Sequence, residues 1–580
     1  MINILSDGFS NFQNHFWIIL FILLAIIWGQ IVMQKIFSNV FVNNFSDDEN
    51  FALSLSGWVF PVFAWAGIYF LINILLGEII ASIISILIFV IPFFFIKIKR
   101  ISLVVLCLLL FLLISLFLRL AFLEQVIFPS YFDSAEHYRN IQNIINIYEN
   151  KSSSLFQYNY YHLGYHFLSA SLIHLFQFNE ISFMLVFGQM ILTILPISFF
   201  FLLKQITQSN TVAFFTCLIA AFGFHMPAHL INWGKYPALL SLVGFQFVFC
   251  LGYIFIKHPS IPKQKLYWLF VLSLLITASI HTRTLIVFAL FITAFFISCY
   301  IHKLSIRSQY FSFIFLFIIL GIEIYCIVQN PVLFPLITGY TQRDLWALIL
   351  VLFFIPFSIK SFPNLVFFLL TSICLFAFLL FFPVSFFQYG TQTLLDRPFV
   401  QMLIYFPLSI IAGLGFSSIT RFLQEFPKTK LFISFALISL LLVNAKYNYS
   451  FYPSDCCNLV NQDDLFAITW IEHNLPMDSK ILIASSRLYV TSFESTQSLT
   501  GADAGIWITP FTSRFTLLAS ADLTFETSQT HSELCAQQIS YIYVGSMPQS
   551  FNNAQLQSQS NWYHLIFNLP NAQIYQINCQ

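Results

Sequence analysis

The chain has 580 residues, of which 58% are hydrophobic, 19% aromatic and only 8% charged, against about 25% charged in a soluble domain. No soluble fold covers that much apolar surface, so the composition points to a polytopic α-helical membrane protein. The formal net charge is +1 and no basic cluster stands out, which leaves no electrostatic footprint for nucleic acid.

A bilayer core takes about 20 apolar residues per helix. On that measure the first span is Phe16–Met33, followed by an acidic connection at Asp47, Asp48 and Glu49. No charged segment precedes this span, the first basic residue being Lys35, so a cleaved secretory leader is not expected. Spans are next expected at Phe51–Ile72, Ile79–Ile96 and Ile101–Leu120, with the basic knot Lys97, Lys99 and Arg100 before the last. The segment His166–Phe176 is too short to cross and reads as re-entrant or interfacial. Further spans follow at Ile181–Leu203, Thr211–Leu230, Pro237–Ile256, Leu266–His281, Leu285–Ile301 and Tyr310–Val328. The last four are Leu345–Ile359, Pro363–Pro383, Val400–Ile419 and Leu431–Asn444, for about 14 in all. Basic loops stay cytoplasmic, which orients the bundle with both termini and the loop after Leu120 outside. From Tyr452 onward the chain turns polar and reads as a small extracytoplasmic α/β domain. Its helix is Asp463–His473, capped by Asp463 or Asp464, and its strands are Ile481–Ala484, Tyr541–Val544 and Gln573–Ile577. The chain thus divides into extra N-terminal spans (1–100), a transmembrane core (101–445) with a first outer loop (121–165), and the terminal domain (446–580).

Of ten cysteines, six lie in or beside apolar spans and four in the tail: Cys456, Cys457, Cys535 and Cys579. An even number outside the cytoplasm is compatible with two disulfides, each of Cys456 and Cys457 reaching to Cys535 or Cys579.

The first outer loop concentrates Asp133, Glu136, His137, His162 and His166 in an otherwise apolar region. Asp133 is a candidate general base, against the plainer role of a helix cap. Glu136 and His137 follow at three and four residues, and His162 and His166 at i, i+4, as acceptor or divalent-metal candidates. Ordinary surface or interfacial polarity is the competing account of each. Arg283, Arg397 and Lys235 fall at outer ends of spans, where they suit a lipid phosphate. The alternatives are helix-end anchoring, and for Arg397 a local pair with Asp396.

An outward span, then a loop opening on FDSAEHY, then YYHLGYHFLSASLIHLF, a multispan bundle and a terminal domain running from DDLFAITWIEHNLP to GADAGIWI make a combined pattern. It resembles the GT-C superfamily of membrane glycosyltransferases, and is similar to protein O-mannosyltransferases and aminoarabinose transferases. The resemblance covers Ile101 to the C-terminus. It implies inverting transfer of a sugar from a polyprenyl-phosphate donor to a lipid, glycan or protein acceptor, at the outer face of the plasma (inner) membrane. By the same resemblance Asp133 matches the family's catalytic acid, Arg397 a basic residue of a late outer loop, and a magnesium or manganese ion is an allowed cofactor. Three extra N-terminal spans, Ser134 in place of a second acid, and Gly164-Tyr165-His166 in place of a Pro-Pro pair depart from the family and leave donor and acceptor open. A transporter or flippase of lipid-linked glycans and a non-catalytic assembly subunit are the competing functions.

Overall fold

The computed structural model describes residues 2–40, 45–95, 101–149, 162–386, 390–488 and 498–579. The expected basic knot at Lys97–Arg100 and residues 150–161 of the first loop lie outside the described residues.

The chain is a membrane-embedded bundle of apolar helices followed by a small α/β domain. An amphipathic helix α1 (Ile2–Asn14) precedes α2 (Phe16–Val40). The span expected at Phe51–Ile72 is two helices, α3 (Asp47–Ser56) and α4 (Val59–Leu76), broken at Gly57-Trp58. Then come α5 (Glu78–Val90), α6 (Leu103–Leu120), α7 (Phe132–Tyr148) and α8 (Gly164–Phe176). The expected Ile181–Leu203 span is α9 (Glu180–Ile194) and α10 (Ile197–Thr207), interrupted at Pro196. Next are α11 (Asn210–Phe222), the single turn α12 (His229–Asn232), α13 (Tyr236–Lys257), α14 (Lys263–Ile280), α15 (Arg283–His302) and α16 (Ile306–Gln329). The bundle closes with α17 (Phe334–Thr338), α18 (Leu345–Ser361), α19 (Pro363–Leu379), α20 (Arg397–Phe422) and α21 (Pro427–Tyr447).

Among the described residues nine helices are long and apolar enough to cross a membrane, or ten if Phe334–Arg343 and Leu345–Ser361, bent by 92°, count as one. The expectation was about 14. The other four expected spans are helices too, but α5, α11 and α19 are short and α14 opens on Lys263 and Lys265. α11 in particular stops at Phe222, not at Leu230, and the chain turns through residues 223–228 before α12 begins at His229. Outward faces of α6, α15, α16 and α21 expose Leu, Ile and Phe, the surface expected against lipid. α9, by contrast, is surrounded by protein from Phe183 onward.

In the terminal domain α22 (Gln462–Asn474) is capped by Asn461, whose side chain accepts from the Asp464 amide while Asp464 returns the bond to the Asn461 amide. The cap is therefore Asn461 and not either aspartate. A six-stranded sheet follows, centred on β3 (Lys480–Leu488) once the bundle's own hairpin β1 (Pro383–Phe386) and β2 (Gly390–Thr393) is counted. β3 runs parallel to β5 (Phe515–Ser520) and β6 (Tyr541–Val544) and antiparallel to β4 (Ser498–Gly501). β8 (Ala572–Ile577) joins β6 to the edge strand β7 (Tyr563–Leu569). The predicted strands are all present.

The cysteine expectation is corrected. Cys535 bonds Cys579, with Cα atoms 5.6 Å apart, while Cys456 and Cys457 are free thiols. The linker that carries the adjacent pair is pinned to the bundle instead: the Tyr131 amide donates to the Cys457 carbonyl (2.8 Å) and the Ser454 amide to the Asn232 side chain (2.7 Å). The Cys456 thiol is drawn down to about 7, first by its hydrogen bond with Cys457 and then, against the cost of burial, by Arg343.

The domain docks on the bundle through aromatic rings. Phe128 and Tyr138 stack on Phe511 at 5.0 and 4.9 Å, and both rings also meet Trp507. α7 is thereby held between bundle and domain. Inside the domain the GADAG loop places Asp503 in the core, where it accepts from Gly505, Ser550 and Gly545. Burial outweighs these bonds and pushes its carboxyl up to about 6. The folded domain then holds a proton that the unfolded chain releases, so its stability falls as pH rises from about 4 to about 6. Amide exchange of Tyr541–Val544 should accelerate over that window by the equivalent of about 2–3 kcal/mol, and Asp503→Asn should remove the dependence.

Candidate functional site

The site is built from helix starts. Asp133 lies in the first turn of α7, Lys235 is the residue before α13, Arg283 opens α15, and Asp396 and Arg397 cap and open α20. Lys235 Nζ donates to Asp133 Oδ2 at 2.9 Å, and Arg283 Nη1 to Asp396 Oδ2 at 2.5 Å. Asp396 uses its other oxygen to accept from the Phe399 amide (2.9 Å), so one carboxylate both caps a helix and holds an arginine. The two pairs feel each other. Burial opposes the charge on Lys235, but Asp133 and then Asp396 outweigh it and raise its pKa. Burial likewise opposes the charge on Asp396, and Arg283 and Lys235 outweigh it, so its carboxyl titrates low. Asp396 thus pairs with Arg283 across the bundle and not with its neighbour Arg397, which removes the local pair that was the alternative account of Arg397. Arg397 joins no ion pair among the described residues, and its buried Nε has no hydrogen-bond partner. It lies within electrostatic reach of Tyr131 and Asp396.

Two glycines allow this convergence. Gly234 has φ +63°, and a Cβ there would come within 2.8 Å of the Ser130 carbonyl oxygen and 2.9 Å of the Ser134 amide. A side chain would push the Lys235 segment off the start of α7. Gly164 opens α8, and a Cβ on it would sit 2.8 Å from the backbone of Ser279 and Ile280. That close approach puts His162 beside His281, ring centroids 4.5 Å apart, with His281 stacked on Phe399 at 4.9 Å.

The four histidines His137, His162, His166 and His281 line the inner side, all buried. His137 Nδ1 and His166 Nε2 are 2.9 Å apart and share a proton. Burial, then Arg283 and Lys235, hold His162 down to about 3; burial, then His166 and His162, likewise depress His137. The imidazoles are neutral at physiological pH. Glu136 does not join them: it pairs with Arg139 at 2.6 Å on the half-exposed side of α7. A metal was the other expectation for Glu136, His137, His162 and His166. Among the described residues no group of three or more His, Cys, Asp or Glu has the arrangement to hold one, so the donor set does not fit a cation and no chemistry is routed through it.

Three cations (Lys235, Arg283, Arg397) against two carboxylates (Asp133, Asp396) leave one net positive charge. The starts of α7, α13, α15 and α20 add their positive dipole ends. Such a site attracts an anion while keeping one carboxylate, Asp133, about a quarter exposed.

The profile of a family of unknown function (DUF6541) matches residues 96–346. The match includes Asp133, Lys235 and Arg283 and ends before Asp396 and Arg397. No curated protein matches the chain.

The Arg283–Asp396 pair, Tyr131 and His281 are members of the cluster that single-segment reading missed. Each depends on contact between segments more than a hundred residues apart, except His281, whose signal was its place next to Arg283.

Gly234→Ala should cost about 1–2 kcal/mol for the left-handed backbone alone, lowering the melting temperature. Gly252→Ala is the control, since a Cβ there meets only Phe270 at 3.6 Å. A second measurement concerns protons. The unfolded chain takes up a proton on His162 below about 6.5 that the folded chain refuses until about 3. Stability therefore declines as pH falls below 6.5, and His162→Gln should flatten that decline in acid-unfolding curves.

Proposed function

We propose that the chain is a membrane glycosyltransferase of GT-C type that transfers a sugar from a polyprenyl-phosphate donor to an acceptor on the face of the membrane carrying the C-terminal domain. The observation that carries this reading is the meeting of Asp133 with Lys235, Arg283 and Arg397 at one end of the bundle, cationic overall and bordered by lipid-facing helices. In this reading Asp133 accepts the proton of the acceptor hydroxyl as its oxygen attacks the anomeric carbon. The bond from that carbon to the donor's phosphate oxygen breaks on the opposite face, with inversion. The electron pair leaves on the phosphate, where Arg397, Arg283 and Lys235 stabilise the developing charge. Lys235 starts on Asp133 and is placed to shift to the phosphate as that carboxylate is protonated. Arg397 is the arginine with donors to spare, since Arg283 is committed to Asp396.

The 92° bend between Phe334–Arg343 and Leu345–Ser361 favours the transporter reading, because broken helices mark many transporter binding sites. It lies beside Asp344, away from the Asp133 cluster.

Purified chain incubated with a panel of radiolabelled polyprenyl-phosphate sugars and a membrane extract tests the proposal. Product formation should drop about 10²–10⁴-fold with Asp133→Asn and about 10²-fold with Arg397→Gln. Equal labelling by wild type and Asp133→Asn would remove Asp133 as the base. No labelling with any donor, by protein that melts normally, would favour transport or assembly.

A further inference from the structure

A polar cavity of about 190 Å³ lies on the other side of the 225–236 segment and shares no residue with the Asp133 cluster. Its wall is formed by the end of α6, α9, α12, the segment before α18, and the linker that follows α21. Arg119 is its anchor. The residue is 3% exposed. Its Nη1 donates to the Tyr449 hydroxyl (2.9 Å) and its Nη2 to the Ala221 carbonyl (2.8 Å), and its guanidinium lies over the rings of Phe222 and Tyr449. Its Nε, however, is buried with no partner, and so is Nε2 of Gln189, a residue 2% exposed on α9. A buried donor left unmet costs about 1–3 kcal/mol. Both residues line the one cavity, and each keeps a donor for which the chain itself supplies no acceptor.

The charge says what kind. Arg119 and Arg343 both line the cavity, and neither has a carboxylate within ion-pair distance among the described residues. The one acid in the wall, Asp344, is taken by His225, accepting from its ring Nδ1 at 2.5 Å and from its amide at 2.8 Å. Arg343 Nη1 rests on His229, which burial and then Arg343 hold neutral. Two cations against one engaged carboxylate leave a positive charge in a space below the roughly 300–1,000 Å³ of sites for drug-sized ligands. Water would meet the orphan donors but not the charge.

We propose that this cavity binds a phosphate group, held by the side chains of Arg119, Gln189 and Arg343, and that the bound phosphate fastens the linker 448–454 to the bundle. The phosphate is either free orthophosphate or the headgroup of a membrane lipid. This site does not rest on the transfer reading and stands or falls separately from it.

The test is equilibrium dialysis of the full chain, purified and delipidated in detergent, against ³²P-orthophosphate at constant ionic strength in chloride. A parallel arm uses radiolabelled dioctanoyl phosphatidic acid, with dioctanoylglycerol as the competitor lacking phosphate. One probe should bind at about one per chain, and Gln189→Leu and Arg343→Gln should each weaken it about tenfold while leaving the melting temperature in chloride unchanged. Amide exchange of residues 448–454 should slow when the probe is added. Binding of orthophosphate assigns the free ion; binding of phosphatidic acid alone assigns a lipid headgroup. No binding of either probe by wild type, or binding that both variants retain, overturns the proposal. Arg119→Lys is not the deciding variant, because loss of the Tyr449 and Ala221 bonds can unfold that corner by itself.

Discussion

A charge beside a low-dielectric region is costly unless it is paired or hydrogen-bonded. In this chain that rule acts at helix starts, where Asp133 meets Lys235 and Arg283 meets Asp396. Each pair ties two helices distant in sequence, α7 to α13 and α15 to α20. Because Lys235 also feels Asp396, the two ties act as one unit. Taking one partner from such a half-buried set leaves a charge uncompensated, at a cost of about 3–5 kcal/mol. Apolar packing can bring four helices side by side, but it does not specify their register along the bundle axis. These ion pairs do, and they do so at the level where the polar residues gather.

The C-terminal domain adds a second constraint on the same place. Tyr131, the residue before α7, has φ +65°, an unfavourable conformation for a bulky side chain that costs about 1–2 kcal/mol. It is held there by the hydrogen bond its amide donates to the Cys457 carbonyl, in the linker, while Phe128 and Tyr138 on either side of it pack on Phe511. The position of Asp133 therefore depends on the domain being docked, so the extramembrane sheet and the intramembrane helices cannot be treated as independent modules.

The helices were legible because lipid demands long apolar runs, and every expected span contains a helix. The spans that failed to be single helices are those where a local element overrides hydropathy: Gly57-Trp58 between α3 and α4, Pro196 between α9 and α10, and the turn after Phe222. The strands expected at Ile481–Ala484, Tyr541–Val544 and Gln573–Ile577 were legible from β-branched and aromatic runs, though the first runs on to Leu488. The disulfide was not, since spacing carries no information on which cysteines meet, and adjacency in sequence set Cys456 and Cys457 against the bundle instead of the sheet. In the cluster, residue type singled out Asp133, Lys235, Arg283 and Arg397. What sequence could not say was who pairs with whom. Asp396 looked like the neighbour of Arg397 and is the partner of Arg283, because capping α20 turns its carboxylate away from the next residue in the chain.

The segment from His225 to Tyr236 serves both polar regions, and its local geometry explains how. α12 is a single turn that presents His229 and Asn232 to the Arg119 cavity. Gly234, with its left-handed φ, then reverses the direction of the backbone, so that Lys235 emerges on the far side against Asp133. Without that reversal a helical continuation would carry Lys235 toward the face of His229 and Asn232, adding a third cation to a cavity that already has two. One glycine thus divides the positive charge between two sites, leaving each with a single net charge. The division also couples them mechanically, because the linker that walls the cavity is the same one whose Cys457 carbonyl holds Tyr131. An anion in the cavity would stiffen that linker and, through Tyr131, the first turn of α7 on which Asp133 sits.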